Sequence, residues 1–276
     1  MINNKNDRKN LVLVSVVSLI VLCLFIYVLI NSDKVSINDE QVQQLSSEEE
    51  GIHLSECGIL NQINTTYYLD EDVMGDGGCF VVNAESVILD CKGHSILNVG
   101  IMENSSGVIS EKQDFTEVKN CLINGFQRGV YYKGNSEGKI INNILEDNQE
   151  GIYLWVTNNI EVKENEAINN KDFGISLRLA KEGIIEKNKV EGGGYGIYLS
   201  NSNNNKISLN EGYENIWYGI YLFESSENDL IDNKFCLNGH TDIRVDKGEI
   251  VNGVNNLCSS VFNFNDLGLE GCSLIC

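Results

Sequence analysis

The sequence predicts an all-β fold, a parallel β-helix of about eight coils, and three observations carry that expectation. A four-residue phrase returns at nearly constant spacing: Gly-Val-Tyr-Tyr at 129, Gly-Ile-Tyr-Leu at 151, Gly-Ile-Ser-Leu at 174, Gly-Ile-Tyr-Leu at 196 and 219, and a degenerate Asp-Ile-Arg-Val at 242. The starts lie 22 or 23 residues apart, and fourteen residues after each start stands an asparagine: Asn143, Asn165, Asn188, Asn210, Asn233 and Asn256. No repeat holds ten residues of helical periodicity; its apolar positions alternate, which is the period of a strand.

Each repeat supplies three short strands. The phrase directs Val130, Ile152, Ile175, Ile197, Ile220 and Ile243 inward, then Tyr132, Leu154, Leu177, Leu199, Leu222 and Val245. A second strand carries Ile140, Val162, Ile185, Ile207 and Leu230, and a third carries Leu145, Ala167, Val190 and Phe235. Between strands, Asn tolerates a left-handed backbone, and stacked amides bond from coil to coil. With Asn120 as an earlier member the ladder has seven residues, and Asn148, Asn170, Asn215 and Asn238 form a second file with Gly193 in its gap. Leucine-rich repeats share the period and the asparagine, but they need a Leu-x-x-Leu-x-Leu spacing that these strands lack.

Ahead of the repeats, Leu11 to Ile30 is an uncharged apolar run, long enough to span a ~30 Å hydrocarbon core. Lys5, Asp7, Arg8 and Lys9 precede it and acidic residues follow, which leaves the N-terminus in the cytoplasm. A cleaved signal peptide is the competing reading, against which stand the length of the run and the lack of a small-x-small cleavage site. The chain therefore divides into a cytoplasmic segment 1–10, one transmembrane signal-anchor helix 11–30, an acidic linker 31–56 and a β-helix domain 57–276 that lies outside the cell. Thr66–Leu69, 79–82 and two strands within 87–96 form an N-terminal cap, with residues 75–78 as a loop, and the irregular tail after Asn256 forms a C-terminal lid.

Composition narrows the partners. The formal net charge of −20 leaves no basic patch for nucleic acid and argues against docking on anionic lipid, so the membrane partner is Leu11–Ile30 alone. Proline is absent while glycine reaches 26, as suits a fold of many tight turns.

The phrase with its asparagine resembles the repeat of pectate-lyase-like proteins. Val-Ile-Leu-Asp-Cys-Lys-Gly-His-Ser-Ile (87–96) and Val-Lys-Asn-Cys-Leu-Ile-Asn-Gly-Phe (118–126) are similar to the opening coils of the NosD-like, carbohydrate-binding and sugar-hydrolase β-helix group. The resemblance covers residues 57 to 276 and implies a single-stranded, right-handed winding. It does not imply one activity, because the group contains polysaccharide lyases, hydrolases and an accessory protein for copper-site maturation.

Of nine cysteines, Cys23 lies in the apolar run and eight remain in the exported part. Spacing suggests Cys57 with Cys79, Cys91 with Cys121, Cys236 with Cys258, and Cys272 with Cys276; zinc at the terminal pair and reduced, stacked thiols are the alternatives. No metal site is expected, and the dispersed His53, His94 and His240 carry no copper set. His94 reads as a turn residue. Asn64 and Asn104 head glycosylation sequons.

The outward third position of the phrase holds Tyr131, Tyr153, Tyr198 and Tyr221, interrupted by Ser176, with Trp155 and Phe223 two residues on. Phe173, Tyr195, Trp217 and Tyr218 arrive from the preceding turns. Such a stripe suits sugar rings, although an aromatic ladder that only shields the sheet gives the same pattern. Asp172, Arg178 and Lys181 are the candidate catalytic residues, followed by Glu150, Glu182, Glu224, Arg244 and Asp246. No acid pair or family active-site motif organises them. The sequence therefore predicts a membrane-anchored surface protein that binds carbohydrate or another envelope component without turning it over. A polysaccharide lyase, with Ca²⁺ as its cofactor, or a glycoside hydrolase is the alternative, and a structural spacer or adhesin a third.

Overall fold

Each repeat folds as one coil of three strands. Two strands of three residues, such as Lys139–Ile141 and Ile144–Glu146, precede one of six, Glu150–Trp155. In the computed structural model, which describes residues 50–248 and 250–276, these coils stack into sheets of ten, eight and ten parallel strands, about nine turns in all. The result is a right-handed parallel β-helix, one turn longer than the repeat count predicts. A small antiparallel pair, Asn265–Asp266 with Leu269–Glu270, closes the tail. The expected transmembrane span, cytoplasmic segment and most of the linker lie outside the described residues. Among those described, no helix is long and apolar enough to cross a membrane.

The extra length comes from the segment expected to be a cap. Ile52–Leu54 pairs in register with Thr66–Leu69, which pairs with Ile88–Asp90 and so with Glu117–Lys119. These are ordinary coils whose third-sheet strands lack the Gly-Ile-x-Leu phrase. Val73–Gly75, partly inside the expected loop 75–78, is a strand, and the folded unit begins at Gly51 rather than 57.

In the third sheet Val130, Ile152, Ile175, Ile197, Ile220 and Ile243 stand in register, and all are fully buried. Files of like side chains, one per coil, fill the interior. Where Gly212 interrupts the file of Val190 and Phe235 in the second sheet, a β-carbon would stand 2.4 Å from the Phe235 ring, so the phenyl group occupies the space.

The asparagine ladder holds the first corner. Asn143 donates from its backbone N and its Nδ2 to Oδ1 of Asn165, and the pattern continues through Asn188, Asn210, Asn233 and Asn256. Asp266 from the tail ends it by accepting both donors of Asn256. Asn120 is not a member. Cys121 takes the ladder position, its N donating to Asn143, while Asn120 sits one residue earlier and accepts from Asn142 outside the core. The left-handed residue is likewise the one before each ladder asparagine: Asn142, Glu164, Lys187, Leu209, Asp232 and Asn255 all have φ near +55°. The second file is as expected, with Gly193 donating to Asn215 across the gap. A third corner adds Asn205 and Asn228.

All eight described cysteines are paired. Cys57–Cys79 and Cys91–Cys121 follow their spacing. The other two pairs do not: Cys236 bonds Cys276, and Cys258 bonds Cys272. Leu257 bridges to Lys234, which sets Cys258 opposite Phe235 and on the inward side, while Cys236 points the other way. A one-residue offset reverses a side chain's face.

Candidate functional site

The outer face of the third sheet collects the side chains singled out by type and spacing. The register runs Tyr131, Tyr153, Ser176, Tyr198, Tyr221, Arg244 along one file. A parallel file runs Arg128, Glu150, Phe173, Tyr195, Tyr218, Thr241, and on the other flank Lys133, Trp155, Arg178, Ser200, Phe223, Asp246. The rings meet. Phe173 stacks on Tyr195 and Tyr198 with centroids 5.1 and 4.9 Å apart, and Tyr195 stacks on Trp217 at 5.9 Å. Tyr221 contacts Tyr195, Tyr198, Tyr218 and Phe223. His240, which spacing did not flag, extends the stripe by stacking on Trp217. Only its place one coil after Trp217 signals it.

Exposure divides the candidate binding residues. Trp155 and Trp217 are 38% and 44% exposed, and Tyr198, Tyr221 and Phe223 are half-buried. Tyr131 and Tyr153, stacked at 5.1 Å, are only 6% and 9% exposed. Arg128 covers both rings, at 4.8 and 5.2 Å, so their faces are already occupied.

Arginine is the second component of this face. The sequence has four, and all three beyond residue 50 (Arg128, Arg178 and Arg244) lie here. Arg178 sits where Ser176 leaves out a ring, 5.5 Å from the centroid of Tyr153, 5.6 Å from Tyr198 and 5.3 Å from Phe173. Arg244 lies over Tyr218, Tyr221 and Phe262, its Nε donating to Asp246 at 2.7 Å. Guanidinium over an aromatic face is favourable by about 0.5–2 kcal/mol, so these contacts rigidify the surface.

Asp172 and Arg178 come together around Glu150. Burial raises the Glu150 carboxyl above the usual range; Arg178 and then Arg128 oppose the shift, and Asp172 adds to it. Glu150 Oε2 is buried without a hydrogen-bond partner, whereas Asp172 accepts from Gln149 at 2.8 Å. Two acids therefore do share this face, which spacing alone did not reveal, because Asp172 lies in the turn one coil after Glu150. Lys181 does not join them. It lies beyond the next corner, in file with Asn158 and Asn203, and is exposed. Glu182 is exposed beside it, and Glu224 pairs with Lys247 at 3.1 Å. His94 is a turn residue facing Asp72, and Asn64 and Asn104 stand at exposed left-handed turns.

A family model described as periplasmic copper-binding protein (NosD) matches residues 63–255. Comparison with curated protein sequences gives no match. Among solved structures the chain is similar to the Dettilon tailspike protein, at 15% identity and TM-score 0.57, covering 81% of this chain and 57% of that one. Tailspike protein 2 from Escherichia coli O157:H7 bacteriophage CAB120 matches at 15% identity and TM-score 0.62, over 83% and 39%. DFA-IIIase from Arthrobacter chlorophenolicus A6 matches at 11% and 0.55, over 76% and 72%. These likenesses are of fold. The chain spans little more than half, or less, of each tailspike.

Copper is held by thiolate, thioether and imidazole ligands, and the described cysteines and histidines do not fit it. The eight described cysteines are in disulfides, His53 and His94 face Asp70 and Asp72, and His240 stacks on Trp217. Among the described residues no three of His, Cys, Asp or Glu are grouped to hold a metal ion.

Proposed function

The chain belongs to the NosD family, and from that premise we propose that it is a carbohydrate-binding protein of the cell surface, anchored by Leu11–Ile30 with its β-helix outside the membrane. One observation carries the binding role: the contiguous ring face formed by Phe173, Tyr195, Tyr198, Trp217, Tyr218 and Tyr221. A ladder that only shields a sheet has no need of the exposed indole of Trp217 at its edge or of clustered guanidiniums. Sugar rings stack on such faces through their C–H surfaces while tyrosine hydroxyls and arginines reach their oxygens. Four disulfides suit the oxidising compartment that this topology requires. The tailspikes and DFA-IIIase support only the use of the same scaffold elsewhere.

Binding without turnover is the first reading. On a glycan array the protein should retain polysaccharide, and Trp217→Ala and Tyr198→Ala should each weaken retention by about tenfold. Retention of no polysaccharide by the native protein would overturn it. Protease added to intact cells should digest the β-helix if the anchor is retained.

A second reading, cleavage of the bound glycan, is favoured by Glu150, a carboxyl raised by burial beside the carboxylate of Asp172. Glycoside cleavage needs two carboxyl groups, one to give a proton and one to serve as base or nucleophile. Incubation with retained glycans decides: reducing ends that appear with the native protein and vanish in Glu150→Gln would establish turnover.

A further inference from the structure

We propose that the rung at Ser176 is a slot for the carboxylate of an acidic sugar residue, bound by Arg178. The inference rests on the carbohydrate-binding reading and names its substrate class.

The tyrosine file is continuous except at Ser176, so Tyr153 and Tyr198 stand two rungs apart, roughly 10 Å. A serine there removes one ring, and the side chain that enters the space is the guanidinium of Arg178. Packing alone would leave this cation bonded to an acid of the protein, as Arg244 is to Asp246. Arg178 is not. Its Nε, the Nε of Arg128 and the hydroxyl of Ser176 are all buried without a hydrogen-bond partner, and Ser176 is fully buried. Buried donors left unpaired are costly, and such groups in a native fold call for an acceptor.

Glu150 supplies charge nearby but no hydrogen bond: its Oε2 also lacks a partner, and Arg178 and Arg128 only oppose the rise that burial gives its carboxyl. Asp172 is turned to Gln149. What the slot lacks is an anion of planar, two-oxygen geometry, which the guanidinium fork matches with two parallel bonds. The stacked rings of Phe173, Tyr195 and Tyr198 adjoin the slot, so a sugar lying on them places a ring carboxylate beside Arg178. The −20 charge of the chain repels a polyanion at long range, but at ~0.15 M salt that repulsion is screened beyond ~8 Å while contact pairing persists.

The test compares the intact protein's affinity for polygalacturonate and for the same polymer fully methyl-esterified, at ~0.15 M salt. The acid form should bind about tenfold or more tightly. Arg178→Gln should bring the ratio of the two affinities to about one. Ser176→Tyr, which completes the ring file and displaces the guanidinium without changing charge, should do the same, and circular dichroism verifies that both variants fold. Equal binding of both polymers by the native protein, or a preference that survives both substitutions, would overturn the slot and leave carbohydrate binding standing. Binding of neither form, with retention of other glycans, would also overturn the slot alone; retention of no glycan at all would overturn both. A sulfated polymer bound as tightly, with the same dependence on Arg178, would overturn the assignment to carboxylate.

Discussion

The carbonyl oxygen of Gly196 lies 2.7 Å from the point at which a β-carbon on Gly174 would stand. The same holds along the file, with the oxygens of Gly174 and Gly219 at 2.5 and 2.4 Å from the corresponding points on Gly151 and Gly196. These glycines have no positive φ, so close approach of the next coil, rather than backbone freedom, requires them. Gly174→Ala must push that carbonyl aside and disturb the ladder bond. It should destabilise the domain by about 1–3 kcal/mol, seen as a lower urea midpoint with an unchanged slope.

Asn188 serves its corner with every polar atom. Oδ1 accepts from both donors of Asn165, and Nδ2 donates to the Val162 carbonyl and to Asn210. Asn188→Asp keeps the shape and the acceptor but sets a buried carboxylate against Val162 O and Asn210 Oδ1. A loss of about 2–4 kcal/mol is expected at neutral pH, because acceptors then face each other in a site closed to water. Protonation would restore a donor, so the deficit should shrink as pH falls toward 5. A urea series at two pH values measures it.

The architecture was legible in the chain because stacking in register makes each coil repeat its neighbour's solution: Ile152, Ile175 and Ile197 fill the same place. The first coils were not legible as coils, since Phe80–Val82 and Ser106–Glu111 occupy the third sheet without the phrase that marks it elsewhere. Spacing also missed offsets of one residue. Asn120 keeps the count but belongs to the outer file of Asn142, and Cys258 lies one coil from Cys236 yet faces inward. At the candidate site the tyrosine file was readable, but the covering of Tyr131 and Tyr153 by Arg128 was not. That depends on where long side chains fold back, which no period records.

The tail is tied by two bridges that close separations of 40 and 14 residues. Non-reducing peptide mapping should recover Cys236 with Cys276 and Cys258 with Cys272. Replacing Cys258 and Cys272 by Ser should cost about 2–4 kcal/mol, largely through the freedom returned to the unfolded tail. Asp266 caps the ladder from this tail, so loosening it also frees the donors of Asn256. Early proteolytic cleavage after residue 258, before the repeats are cut, is the expected signature.

The phenol of Tyr221 is pushed up to about 12, by burial first and then by its hydroxyl bond to the Asp246 carboxylate at 3.0 Å. Tyr131 is also held at about 12, mainly by burial. In the unfolded chain these groups ionise near 10.0, so between that value and about 12 the unfolded state sheds protons that the folded state keeps. Stability contributed by the neutral phenols is complete below pH 10 and is lost as the pH rises through this window. Titration followed at the phenolate absorbance should show a late step near pH 12 that loses one group in Tyr221→Phe. Asp246→Asn should move that group's midpoint down toward 10, since it removes the negative charge that disfavours the phenolate. A Tyr221 midpoint unchanged by Asp246→Asn would refute the role given to the carboxylate.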